Sequence, residues 1–84
     1  MTSYRITKAA EHDLREILMY VAEHGGIDRA LHVHAKFLEA FDLLGASPGA
    51  GRVREDVTGE TVRWWTVFSF VIIYEAERSP IAVL

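Results

Sequence analysis

Eighty-four residues, half of them hydrophobic and a quarter charged, describe one small globular domain rather than a disordered chain. A net charge of −3 and the lack of cysteine exclude a broad basic surface for gripping phosphates, a disulfide framework and a thiolate metal site. No apolar run reaches membrane-spanning length and the first residues lack a signal-peptide pattern, so a cytoplasmic protein without a membrane partner is expected.

Ser3-Tyr4-Arg5-Ile6-Thr7 alternates polar and apolar residues and reads as a short strand. Thr7 can cap the helix that follows, because its hydroxyl can accept from a free backbone N–H. That helix is expected to reach about His24. Ala10, Leu14, Ile17, Leu18 and Val21 fall on one arc, while Glu11, His12, Arg15, Glu16 and Glu23 fall away from it. Met19 lies opposite the apolar arc and reads as an exposed side chain. Gly25-Gly26 supplies the stop, since glycine tolerates the left-handed conformation found at helix ends.

Asp28 is the expected cap of a second helix running to about Leu44, with Ala30, Val33, Phe37, Ala40, Phe41 and Leu44 as its main stripe. Leu31 and Leu38 widen the apolar face to roughly half the cylinder, more than one neighbouring helix requires. The short glycine link makes the two helices an antiparallel hairpin.

Gly45 to Gly51, with Ser47-Pro48-Gly49, is a break. Arg52 to Glu60 is polar and charged and reads as a surface loop. From Thr61 to Val67 the chain alternates, with Val62, Trp64 and Thr66 on one side and Arg63, Trp65 and Val67 on the other. Phe68-Ser69 is a short connection. Phe70 to Glu75, rich in β-branched and aromatic residues, reads as a buried central strand. Glu77 to Pro80 is a turn, and Ile81 to Leu84 begins a last strand. The expected architecture is α+β: an N-terminal strand, then an antiparallel helical hairpin packed on a small, mostly antiparallel sheet, in the order β-α-α-β-β-β.

The histidines do not assemble a metal site by spacing. His32-x-His34 sets two rings about 200° apart around a helix, and neither a metal nor a cofactor is expected. No nucleophile motif or phosphate loop is present. Arg63, beside two tryptophans, can bind phosphate, stack on a base or anchor a protein contact. It can equally pair with an acidic neighbour such as Glu75 or Glu77. Trp64 and Trp65 point to opposite faces, so one is expected in the core under the hairpin and the other on the open face. Tyr74 ends the central strand. Metal-free RNA cleavage requires a general base, a general acid and cations. The C-terminal half offers Arg52, Arg54, Arg63 and Arg78, but no lysine or histidine to move protons.

Four short patterns occur in order: Ala10-x-x-Asp13-Leu14-x-x-Ile17 in the first helix, Pro48-x-x-Gly51-Arg52 after the second, Arg63-x-Trp65-x-Val67 on a strand, and Val71-Ile72-Ile73-Tyr74 on the next. In this the chain, from about Tyr4 to Leu84, resembles ParE-type toxins of the RelE/ParE superfamily. The resemblance implies the toxin of a type II toxin–antitoxin pair that poisons DNA gyrase and is neutralised by a ParD-like antitoxin wrapped around it. Target contacts are expected at Arg63 and Trp65, and antitoxin contacts on the apolar surface the hairpin leaves over, at Leu31, Leu38 and Trp64, with no sequence-specific nucleic-acid binding by this chain alone. The resemblance also implies a single toxin domain that lacks the family's usual C-terminal tail. Two other readings belong to the same superfamily: a RelE-like ribosome-dependent ribonuclease, and a non-toxic member that only binds its antitoxin.

Overall fold

The computed structural model describes residues 4–53, 62–76 and 80–84. In chain order these form β1 (Tyr4–Ile6), α1 (Lys8–Gly25), α2 (Ile27–Ala46), a 3-10 turn (Pro48–Ala50), β2 (Arg52–Val53), β3 (Val62–Val67), β4 (Phe70–Glu75) and β5 (Ile81–Val83). The five strands make one mixed sheet in the order β1-β5-β4-β3-β2. Only the β1–β5 pair is parallel, with Tyr4 opposite Ile81 and Ile6 opposite Val83. The α+β architecture with a helical hairpin is as expected. The expected surface loop is corrected at its start, because Arg52 and Val53 pair with Trp64 and Arg63 as a short edge strand. The rest of that loop, and Glu77 to Ser79 of the expected turn, lie outside the described residues.

The Thr7 hydroxyl accepts from the Ala10 backbone N–H at 3.2 Å and so caps α1, as its side chain suggested. Gly26, at φ 92°, separates the helices. A conformation that L-residues rarely adopt lets the chain reverse within one residue. For that reason α2 begins at Ile27, capped by Gly26 with no side-chain hydrogen bond. Asp28 is therefore not the cap. It sits in the first turn, where a carboxylate is still favoured by the helix dipole.

One face of the sheet receives the hairpin. Val33, Phe37, Ala40, Phe41 and Leu44 of α2 and Ala10 and Val21 of α1 are buried with Val67, Ile72, Tyr74, Ile81 and Val83 from the strands. Leu14 and Ile17 of α1 pack half-buried against this cluster. Ile72 is the inward residue of the central strand, and Val71 is exposed. The rings of Phe37 and Phe70 lie 5.9 Å apart, and those of Tyr4 and Phe41 5.2 Å apart, distances typical of tilted aromatic pairs. Among the described residues no helix is long and apolar enough to cross a membrane, and no group of three or more metal-ligating side chains could hold a metal ion.

Candidate functional site

The register of β3 on β4 decides where the candidate residues point. Residues directly opposite each other on neighbouring strands share a face. Arg63 is opposite Tyr74, Trp65 opposite Ile72 and Val67 opposite Phe70. Arg63 and Trp65 therefore lie on the hairpin side, with Tyr74 and Ile72 of the core. Trp65 packs half-buried against that core. It also lines a groove with Lys36, Leu43 and Phe68. Trp64 takes the opposite, open face with Ile73. There the Arg52 guanidinium stands 5.5 Å from the centre of its ring, a cation–π distance.

Arg63 is engaged by backbone carbonyls of the turn before β2. Its Nη1 donates to the Gly51 carbonyl at 2.8 Å and to the Gly49 carbonyl at 3.4 Å. The turn between α2 and β2 is held from a second side by Tyr74. The Tyr74 hydroxyl, fully buried, donates to the Pro48 carbonyl at 2.7 Å and accepts from the Gly51 N–H at 2.9 Å. A Cβ at Gly51 would overlap that hydroxyl, and would lie 2.8 Å from Tyr74 Cε1 and 2.9 Å from the Trp64 carbonyl oxygen. The spacing Pro48-x-x-Gly51 now has a physical reason. Pro48 presents a carbonyl, Gly51 has no side chain to obstruct the approach, and Arg63 and Tyr74 arrive from adjacent strands to close the turn. Three of the four sequence patterns thus meet in one latch.

On α2, Leu31 and Leu38 are exposed to 61% and 36%, and Ile27 to 72%. At about 100° per residue, Ile27, Leu31 and Leu38 fall within about 40° of one another, along about 16 Å of helix. This narrow row lies outside the buried stripe of Val33, Phe37, Phe41 and Leu44, and His34 continues it half-buried. Sequence reasoning missed Ile27 because the helix was expected to start two residues later, after a cap at Asp28. Leu31 and Leu38 are in the helical layer and Trp64 is on the open face of the sheet, so the three do not form one continuous patch.

Phe68 was read only as a connector. It is the one non-glycine described residue at positive φ, at 55°, and its ring is 59% exposed. With a positive φ at the first turn residue only, the β3–β4 hairpin has the φ pattern of a type II′ turn, where glycine is favoured. The signal was present in the sequence: a two-residue hairpin loop that contains neither glycine nor asparagine.

No curated protein matches the chain. A family model described as the ParE toxin of the type II toxin–antitoxin system parDE matches residues 4–84, a span that includes the latch, the exposed row and both tryptophans. The chain belongs to the ParE toxin family of type II toxin–antitoxin systems.

Proposed function

We propose that this ParE toxin inhibits DNA gyrase by protein–protein contact in the cytoplasm, and that its ParD antitoxin silences it by wrapping across both layers of the domain. Family membership carries the toxin–antitoxin assignment. The observation that favours inhibition by contact over RNA cleavage is the state of Tyr74. Its hydroxyl is fully buried, and both its donor and its acceptor capacity serve the Pro48–Gly51 turn. A tyrosine so engaged is not free to take or give a proton at a scissile phosphate.

The target contact is assigned to the Arg63–Trp65 end of β3. Trp65 borders a groove there and offers a large apolar surface of the kind that anchors protein interfaces. Arg63 holds the turn beside it. The antitoxin contact is assigned to Leu31 and Leu38 with the neighbouring Ile27, and to Trp64 on the opposite layer. An extended segment that wraps the domain reaches both, where a single rigid helix would not. No cofactor or metal enters this reading.

A supercoiling titration with purified gyrase, run beside an in vitro translation assay, tests the proposal. The expected result is inhibition of supercoiling, weakened by Trp65→Ala in a protein that remains folded, with translation unaffected. Ribosome-dependent cleavage of message would make the ribonuclease reading correct. Activity in neither assay, with antitoxin binding intact, would identify a non-toxic member of the family.

A further inference from the structure

The sheet is unfinished at one edge. Among the described residues, β2 covers β3 at Arg63 and Trp64. Continued in register, residues 51, 50 and 49 would lie beside Trp65, Thr66 and Val67. The chain instead leaves the sheet there as the 3-10 turn Pro48–Ala50, held by Tyr74 and Arg63. Among the described residues, nothing pairs with the outer edge of β3 from Trp65 to Val67. Edge strands in soluble proteins are usually protected by charge, proline or a bulge. Trp65-Thr66-Val67-Phe68 has no charge and no proline, and its β4 register runs from Trp65 to Val67 without a bulge. The groove beside this edge is lined by Ala40, Leu43, Trp65, Val67 and Phe68, with Lys36 and Glu39 on its rim.

We propose that this edge pairs with the same edge of a second copy of the chain, antiparallel and about a two-fold axis through Thr66. An isologous contact must be complementary to itself, because each residue meets the equivalent patch on its partner. The edge meets that condition. The free stretch from Trp65 to Phe68 is uncharged, so no like charges are set opposite each other there. The rim carries one cation and one anion, Lys36 and Glu39, already 3.1 Å apart, so two copies bring no excess of either sign together.

The register is constrained as well. Pairing Thr66 with its own copy sets Trp65 beside Val67 of the partner subunit on the hairpin side. It sets the two threonines together on the open face, a favourable cross-strand pair. Phe68 then arrives where β2 of the other copy ends, at Arg52. The Phe68 ring stays on the helical side, 6.1 Å from the ring of His32. A register advanced along the strand toward Trp64 would collide with β2 of the other copy. The axis at Thr66 pairs all three free residues without that overlap. Pairing covers Trp65, so a paired copy and the target contact assigned above exclude each other at this edge. The pairing itself stands on the edge geometry and is independent of the gyrase reading.

The test is sedimentation of the intact chain from micromolar to sub-millimolar concentration, together with a cysteine placed at the axis. Opposed Cα atoms in an antiparallel pair are about 4.5–5.5 Å apart, within disulfide range, and the native chain has no cysteine to interfere. The expected results are a concentration-dependent doubling of mass, and rapid oxidation of Thr66→Cys to a linked dimer. Met19→Cys, exposed on α1, stays monomeric under the same oxidant. Thr66→Lys, which sets two charges face to face at the axis, abolishes the doubling. A monomer at every concentration overturns the proposal. So does Thr66→Cys linking no faster than Met19→Cys, or a dimer that survives Thr66→Lys. If antitoxin alone protects the edge from hydrogen exchange, the edge belongs to the antitoxin and not to a second copy.

Discussion

Tyr74→Phe removes one oxygen atom and leaves the ring in place, so its cost isolates the latch from the core. Two hydrogen bonds disappear, to Pro48 at 2.7 Å and to Gly51 at 2.9 Å. Gly51 is buried, so its N–H loses its partner in a place that water reaches poorly, while the Pro48 carbonyl is only half-buried. A net hydrogen bond is worth about 0.5–1.5 kcal/mol, and a buried group left without a partner costs about 1–3 kcal/mol. The sum is a loss of about 2–4 kcal/mol. That is a large share of the roughly 5–15 kcal/mol by which native domains are stable, and a fall in Tm of roughly 10–30 °C for a domain of this size. Urea unfolding followed by circular dichroism measures it, with an unchanged m-value marking a folded starting state. Gly51→Ala should destabilise the domain by a separate route, because its methyl group would meet Tyr74 and the Trp64 carbonyl. A loss below about 0.5 kcal/mol for Tyr74→Phe would sink the reasoning. The hydroxyl would then be free for chemistry, and the ribonuclease reading would regain its candidate.

Replacing Leu31 and Leu38 together by alanine should weaken the antitoxin complex by about tenfold or more, at about 1.4 kcal/mol per tenfold. Both residues are exposed in the free domain, so its own unfolding midpoint should barely move. Unchanged affinity in a calorimetric titration would remove the α2 row from the antitoxin interface. Phe68→Gly should leave stability unchanged or raise it by about 1 kcal/mol, because relief of the positive φ offsets glycine's entropy. A clear loss would show that the exposed ring packs better than its environment suggests. The Tyr4 hydroxyl ionises above its ordinary value of 10.0, because burial, and then the nearby Asp42 carboxylate, disfavour the phenolate. The unfolded chain loses this proton first, so the contribution is full below pH 10 and disappears as pH rises through the folded value. Tyr4→Phe should accordingly lose less stability than the parent between about pH 9 and about pH 11. Parallel losses in the two proteins would contradict that linkage.

The sequence by itself determined the elements other than β2, and the inward stripes of the two helices. Apolar spacing marked α1 and the stripe of α2, alternation marked β3, and β-branched density marked β4. Each is a local signal, because a helix or strand repeats within a few residues. The opposite directions of Trp64 and Trp65 also followed from strand alternation alone. Which tryptophan faced the hairpin did not, because that depends on where the hairpin settles on the sheet. The start of α2 was legible only to within two residues, since Gly25, Gly26 and Asp28 all carry helix-end chemistry and the backbone had to choose among them.

Only the tertiary structure brought Pro48, Gly51, Arg63 and Tyr74 together. The two latch hydrogen bonds of Tyr74 span 26 and 23 residues of chain, and no local periodicity encodes a partner at that distance. The bare edge of β3 was hidden for the same reason. Whether a strand edge is covered is a property of its neighbours, and here, among the described residues, it follows from a turn that takes the chain out of the sheet at residue 51, after which Arg52 and Val53 pair with β3. The sequence specified which residues seek burial or hydrogen bonds, and the packed chain decided which partners they found.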